Sequence, residues 1–204
     1  MKWLLVLLAA GSLGAADGPR LFFSQSFPGS SPAYFQVSLA RNGDVEYAEA
    51  PNDDDPVRFS LSEGEADEVF RLAGDLGYFT RALESPLKVA FMGTKTLRYE
   101  DGDRKNEVKV NYSTDPSAQA LLDWFARMGE SARDRIDLER AAKYDKLGVD
   151  QALLTLQSDM DRKRLTDAAQ FLPILDLIAK GESYMHMARQ RASEIAEAIR
   201  KPKP

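Results

Sequence analysis

The densest cluster of chemically able side chains is Asp53-Asp54-Asp55, set between Pro51 and Pro56. Oxygen-rich flexible loops bind Ca²⁺, but such loops space their ligands at alternate positions. Side chains of adjacent residues diverge, so this run reads as solvated loop charge. Asp101-Gly102-Asp103 reads as a turn, which needs those residue types for backbone reasons alone. The single histidine, His186, lies between Met185 and Met187. A general base needs a nucleophile and an orienting acid. No motif places either, so His186 reads as a packed or surface residue. Met160, Met185 and Met187 read as core filler, since no Met-x-x-Met repeat points to a soft metal. The chain has no Cys, which excludes thiolate zinc sites, Fe–S clusters and cysteine nucleophiles. Phosphate-binding glycine loops, G-x-S-x-G and H-E-x-x-H are missing. The sequence therefore assigns no catalytic, cofactor-binding or metal-ligating residue, and it leans away from an enzyme.

Two surface features remain. Phe27-Pro28-Gly29-Ser30-Ser31-Pro32-Ala33-Tyr34 is the most unusual loop. Two prolines and a glycine fix an irregular path, and Phe27 and Tyr34 flank it. It reads either as a recognition loop, built on Phe27, Pro28, Gly29, Ser31, Pro32 and Tyr34, or as a connector whose aromatics plug the core. Arg162-Lys163-Arg164 and Arg189-Gln190-Arg191 are basic clusters. They read as solvated helix charge, with an anionic membrane surface as the weaker alternative for Arg162, Lys163 and Arg164.

The elements that would position these residues follow two grammars. From about residue 20 to 112 the apolar period is near two. Tyr34-Phe35-Gln36-Val37-Ser38-Leu39 and Val45-Glu46-Tyr47 are joined through Asn42-Gly43, a strong hairpin signal. Val57-Arg58-Phe59-Ser60-Leu61 reads as another strand. Ser62 and Glu65 have capping-box spacing before a helix that Gly77 ends; Ser60 and Glu63 offer the same pair one frame earlier. A second hairpin turns at Asp101-Gly102-Asp103, and its alternating charges put one sheet face in water. From Asp115-Pro116 onward the period becomes 3.6. An acid cap and a proline start one long helix, predicted to run to about residue 147. Asp150, Thr166-Asp167 and Ser183 are the predicted starts of three more, with a kink or restart at Pro173.

The chain has 204 residues, 44% apolar and 29% charged, with 27 basic and 32 acidic side chains. That composition is globular and allows a real core. Lys2 precedes an apolar run over residues 3–10, and Gly14 and Ala16 fit a signal-peptidase site before Asp17. The run is short of the about 20 residues a membrane span needs. A cleaved signal peptide over 1–16 is the expectation, with a retained anchor as the alternative. Cleavage removes one of the 27 basic residues, leaving 26 against 32 and a net charge of −6. An acidic chain gains little from counterion release, which speaks against nucleic acid. Residues 17–116 carry 11 basic and 18 acidic side chains, so the acidity lies on the strand-rich half.

The 27–34 run, followed by Asn42-Gly43-Asp44-Val45-Glu46-Tyr47, resembles a domain of bacterial exported proteins that opens with Cys-Phe-Gly-x-Cys-Pro-x-Tyr. The Tyr78-Phe79 pair after the first helix fits the same pattern. The resemblance spans residues 21–139. Phe27 and Ser31 stand where that family has its cysteines, so any redox or metal role of those thiols is absent. The resemblance implies an exported α+β fold and brings no activity with it.

The expectation is an α+β protein. A mostly antiparallel sheet packed by helices fills 17–140, and an α-helical extension fills 141–204. The function expected is a non-catalytic binding or structural module of the periplasm or extracellular space, meeting a protein partner and needing no cofactor. The alternative is a carboxylate-dependent hydrolase or small-ligand-binding protein drawing on Glu46, Asp53, Asp55 or Glu100.

Overall fold

The computed structural model describes residues 18–201. The predicted cleavage pair, Ala16 and Asp17, lies outside the described residues, as does the end of the basic tail. Six strands form one sheet: β1 (Arg20–Ser26), β2 (Tyr34–Ala40), β3 (Asp44–Ala48), β4 (Val57–Ser60), β5 (Thr94–Asp101) and β6 (Arg104–Val110). Their order is β4-β3-β2-β1-β5-β6, and every neighbouring pair is antiparallel. The Asn42-Gly43 turn joins β2 to β3. Gly43 has φ +94°, and a Cβ there would lie 2.6 Å from the Leu61 carbonyl oxygen. Glycine is thus required twice, for the backbone conformation and for the close approach of the chain leaving β4.

Helix α1 (Glu63–Asp75) opens on the Ser62 frame of the capping box, since Ser60 is spent in β4. The Ser62 N–H donates to Glu65 Oε2 at 3.0 Å, and the Glu65 N–H donates to Ser62 Oγ. Helix α2 (Pro116–Tyr144) starts where Asp115 accepts from the Ser117 and Ala118 N–H groups. Both helices cover one sheet face. Leu21, Phe23, Phe35, Val37, Leu39, Tyr47 and Leu97 meet Val69, Leu76, Leu121, Phe125 and Met128 there. Phe23 stacks on Phe125 at 5.0 Å. Gly129 lets α2 approach, because a Cβ would sit 2.9 Å from the Phe35 ring. Burial of this many large apolar side chains, at about 1.5–3 kcal/mol each, makes the face the main source of stability.

The other helices are α3 (Val149–Asp161), α4 (Leu172–Lys180) and α5 (His186–Arg200). They enclose a second core with the last turns of α2: Leu138, Leu153, Leu156, Phe171, Leu175, Ile178 and Ile195. Residue 140 falls inside α2, so one continuous helix carries the sheet core at its start and the helical core at its end. The α+β fold with a helical extension is thus as expected.

The caps of the extension differ from expectation. Asp150 lies inside the first turn of α3 and accepts from Arg191 Nε at 3.1 Å instead of capping. Ser183 accepts from Lys146 Nζ at 2.6 Å, and α5 begins three residues later. The expected end of α2 at 147 moves back to Tyr144. Pro173 does mark a restart, where a 3₁₀ turn over Ala168–Phe171 gives way to α4. Met185 and Met187 are not core filler: they are 42% and 63% exposed, while Ala188, Ala192, Ile195 and Ala196 form the buried stripe of α5. Only Met160 packs against the helical core.

Candidate functional site

Alternation along a strand sends every second side chain to the face opposite the helices. Antiparallel register then lines those side chains up across the sheet. One row reads Arg58, Glu46, Ser38, Phe22, Arg98, Glu107 from β4 to β6. The row beside it reads Ala48, Gln36, Ser24, Thr96, Lys109 over β3 to β6. The second row is mostly small, so it lies lower than its neighbours and forms the floor of a trough. Its lining comes only from strands and the 51–56 loop, with Phe22, Tyr34 and Arg98 standing above the floor. The cavity holds about 340 Å³.

Three of the charged side chains around the trough, Arg98, Glu46 and Glu100, are paired within the protein. The Arg98 guanidinium lies 4.2 Å from the Phe22 ring centroid, 3.1 Å from Glu100 and 3.9 Å from Glu107. Its Nε is close enough to Glu100 to be attracted but is not aligned for a hydrogen bond. Glu100 also meets Lys105 at 2.9 Å, and Glu46 meets Arg58 at 3.0 Å. The Tyr34 hydroxyl donates to Gln36 Oε1 at 2.8 Å, and this bond leaves both N–H donors of the Gln36 Nε2 group unused. Burial raises the Tyr34 phenol pKa, opposed by a hydrogen bond with Ser24 and by Arg98.

A second concavity, about 370 Å³, lies where α2 meets α3 and the 31–32 loop. Asp134 of α2 faces Asp159 of α3 there. As carboxylates both are acceptors, and Asp134 Oδ2 is buried with no donor. Burial first, then the charge and hydrogen bonding of Asp159, push the Asp134 pKa up to about 7; Arg133 opposes this and Glu130 adds to it. When one of the two is protonated, its O–H supplies the missing donor.

The structure separates the residues of the predicted recognition loop. Phe27 turns to the end of the sheet and meets Phe91 edge-on at 6.1 Å. Pro28 and Gly29 are exposed at the tip. Ser30 Oγ lies 2.7 Å from both the Phe27 and Pro32 carbonyls, and the Phe27 N–H donates to the Ala33 carbonyl at 2.8 Å. Ser31 and Pro32, joined by a cis peptide bond, line the α2–α3 groove. Tyr34 stands in the sheet trough. One segment thus touches three places.

The candidate acids also divide. Glu46 and Asp53 line the same trough, Asp55 turns to a neighbouring hollow against α2, and Glu100 is held by Arg98 and Lys105. Of the basic cluster, Arg164 is taken by the protein itself. Its Nε meets Glu130 at 2.7 Å and its Nη1 meets Asp123 at 2.5 Å. Arg162 and Lys163 stay exposed, as does His186. Ser24, Gln36, Thr96 and Arg98 had no motif to mark them; their signal was the polar phase of strand alternation. Asp134 and Asp159 had none at all.

Among the described residues no group of three or more His, Asp or Glu is arranged to hold a metal ion. No helix among them is long and apolar enough to cross a membrane. No protein-family profile matches the chain, and no curated protein matches it.

Proposed function

We propose that this chain is an exported, non-catalytic binding module of the periplasm or extracellular space, and that it binds through the open face of its sheet. The observation behind this is the asymmetry of the sheet. One face is filled by α1 and α2, while the other carries no helix among the described residues and is shaped into a trough of hydrogen-bonding side chains. Antiparallel sheets often leave one face in water, with polar side chains pointing out. Here the small Ala48, Ser24 and Thr96 in one row leave it concave. Concave sites with a few convergent polar groups are where proteins take ligands. The leader-like residues 1–16 and the resemblance of residues 21–139 to an exported domain support the location.

The test is a titration of the ¹⁵N-labelled chain with the soluble fraction of a bacterial envelope, followed by NMR. Movement of the Ser24, Gln36, Ser38 and Thr96 amide signals is the expected result. Movement centred on α3–α5, or none anywhere, would refute the reading. A second reading, a carboxylate-dependent hydrolase, is favoured by Glu46 and Asp53 sharing the trough. It predicts loss of an envelope component on incubation, abolished by Asp53→Asn.

A further inference from the structure

We infer that the trough on the open sheet face is a saccharide site, sized for about one or two sugar rings. This rests on the reading of that face as a binding surface and names what it holds. The volume, about 340 Å³, lies at the small end for ligand sites. The lining is rich in Ser24, Ser38 and Thr96 hydroxyls, the Tyr34 hydroxyl, and the Gln36 and Asn52 amides. Hydroxyls and amides both donate and accept, as the hydroxyls of a sugar do. The Arg98 guanidinium, held 4.2 Å over the Phe22 ring, and the Tyr34 ring supply flat surfaces for the apolar C–H face of a pyranose.

The same residues argue against ionic ligands. Arg98 is matched by Glu100 and Glu107, and Glu46 by Arg58, while the other two charged lining residues, Arg20 and Asp53, are of opposite sign, so the trough offers oriented dipoles with no net surplus of positive charge for a phosphate. An extended peptide is disfavoured too. β1 is hydrogen-bonded on both sides, to β2 and β5. Backbone pairing is therefore open only at the sheet edges, β4 and β6, and not over the trough.

The experiment is an NMR titration of the ¹⁵N-labelled full chain with maltose, cellobiose and N,N′-diacetylchitobiose, and separately with glycylglycine and inorganic phosphate. At least one saccharide is expected to shift the Ser24, Gln36 and Thr96 signals saturably, including the Gln36 side-chain amide. Gln36→Ala should weaken binding about 2–10-fold, the worth of one or two hydrogen bonds, with α3–α5 signals unmoved. Tyr34→Phe gives a second variant that keeps the ring and removes only the hydroxyl. Saccharide shifts confined to the α2–α3 groove, shifts by phosphate or glycylglycine alone, or no saccharide shift would each overturn the inference. If the envelope fraction moves the trough signals while all three sugars fail, this inference falls and the binding reading stands. If neither moves them, both fall.

Discussion

Replacing Asp134 by Asn should make the protein more stable at pH 8 and leave it nearly unchanged at pH 4. The carboxyl has an ordinary value near 3.9 in the unfolded chain and about 7 in the fold. Below about pH 4 it is protonated in both states and contributes no difference. Between about pH 4 and 7 the fold keeps a proton that the unfolded chain gives up, so stability falls as pH rises. Above about 7 both states are ionised and the whole penalty remains. At 1.36 kcal/mol per decade the ceiling is about 4 kcal/mol, and the partial solvation of the side chain brings it nearer 2 kcal/mol. Asn carries no charge and its amide donates to Asp159, so it removes the penalty at every pH. In a chain of this size about 2 kcal/mol corresponds to about 4–8 °C in Tm. The assay is urea denaturation of parent and variant from pH 4 to 8. Asp167, also raised by burial, and Asp115, lowered chiefly by Arg81, are present in both proteins and cancel in the difference. A difference that is the same at pH 5 and pH 8 would refute the raised Asp134 pKa.

Other substitutions probe the joints of the fold. Ser131 Oγ accepts from the buried Thr166 N–H at 2.8 Å, linking α2 to the segment before α4. Ser131→Ala strands that donor and should cost about 1–3 kcal/mol by urea denaturation. Gly43→Ala forces a side chain into φ +94° and against the Leu61 carbonyl; a loss of about 2 kcal/mol is expected in thermal melts followed by circular dichroism. Arg164→Lys keeps the charge but loses the two-nitrogen grip on Glu130 and the contact with Asp123. It should cost about 1 kcal/mol, and Asp123→Asn should cost less in the variant than in the parent.

Local chemistry made much of the fold legible in the sequence. Ser62 with Glu65, Asp115 with Pro116, and Asn42-Gly43 each satisfy or shape the backbone within a few residues, so no distant partner was needed to read them. The change of apolar period near residue 115 separated strands from helices for the same reason. Caps failed where a distant side chain competed. Asp150 and Ser183 are good cap types, but Arg191 and Lys146 reach them across the helical core and hold them elsewhere.

The sequence by itself determined which side chains alternate along the strands and which line the buried stripes of α1 and α2. The tertiary structure alone decided what those side chains meet. Strand β5 pairs with β1 across about seventy residues of chain, and only that pairing sets Thr96 beside Ser24 and Arg98 beside Phe22 to form a trough. Asp134 sits among charged neighbours on α2, and nothing local distinguishes it from them. Its pKa rises because the packing of α2 and α3 buries it first and sets Asp159 against it second. Caps and turns are settled by the few residues that make them, whereas concavity and desolvation depend on which distant surfaces close over a side chain.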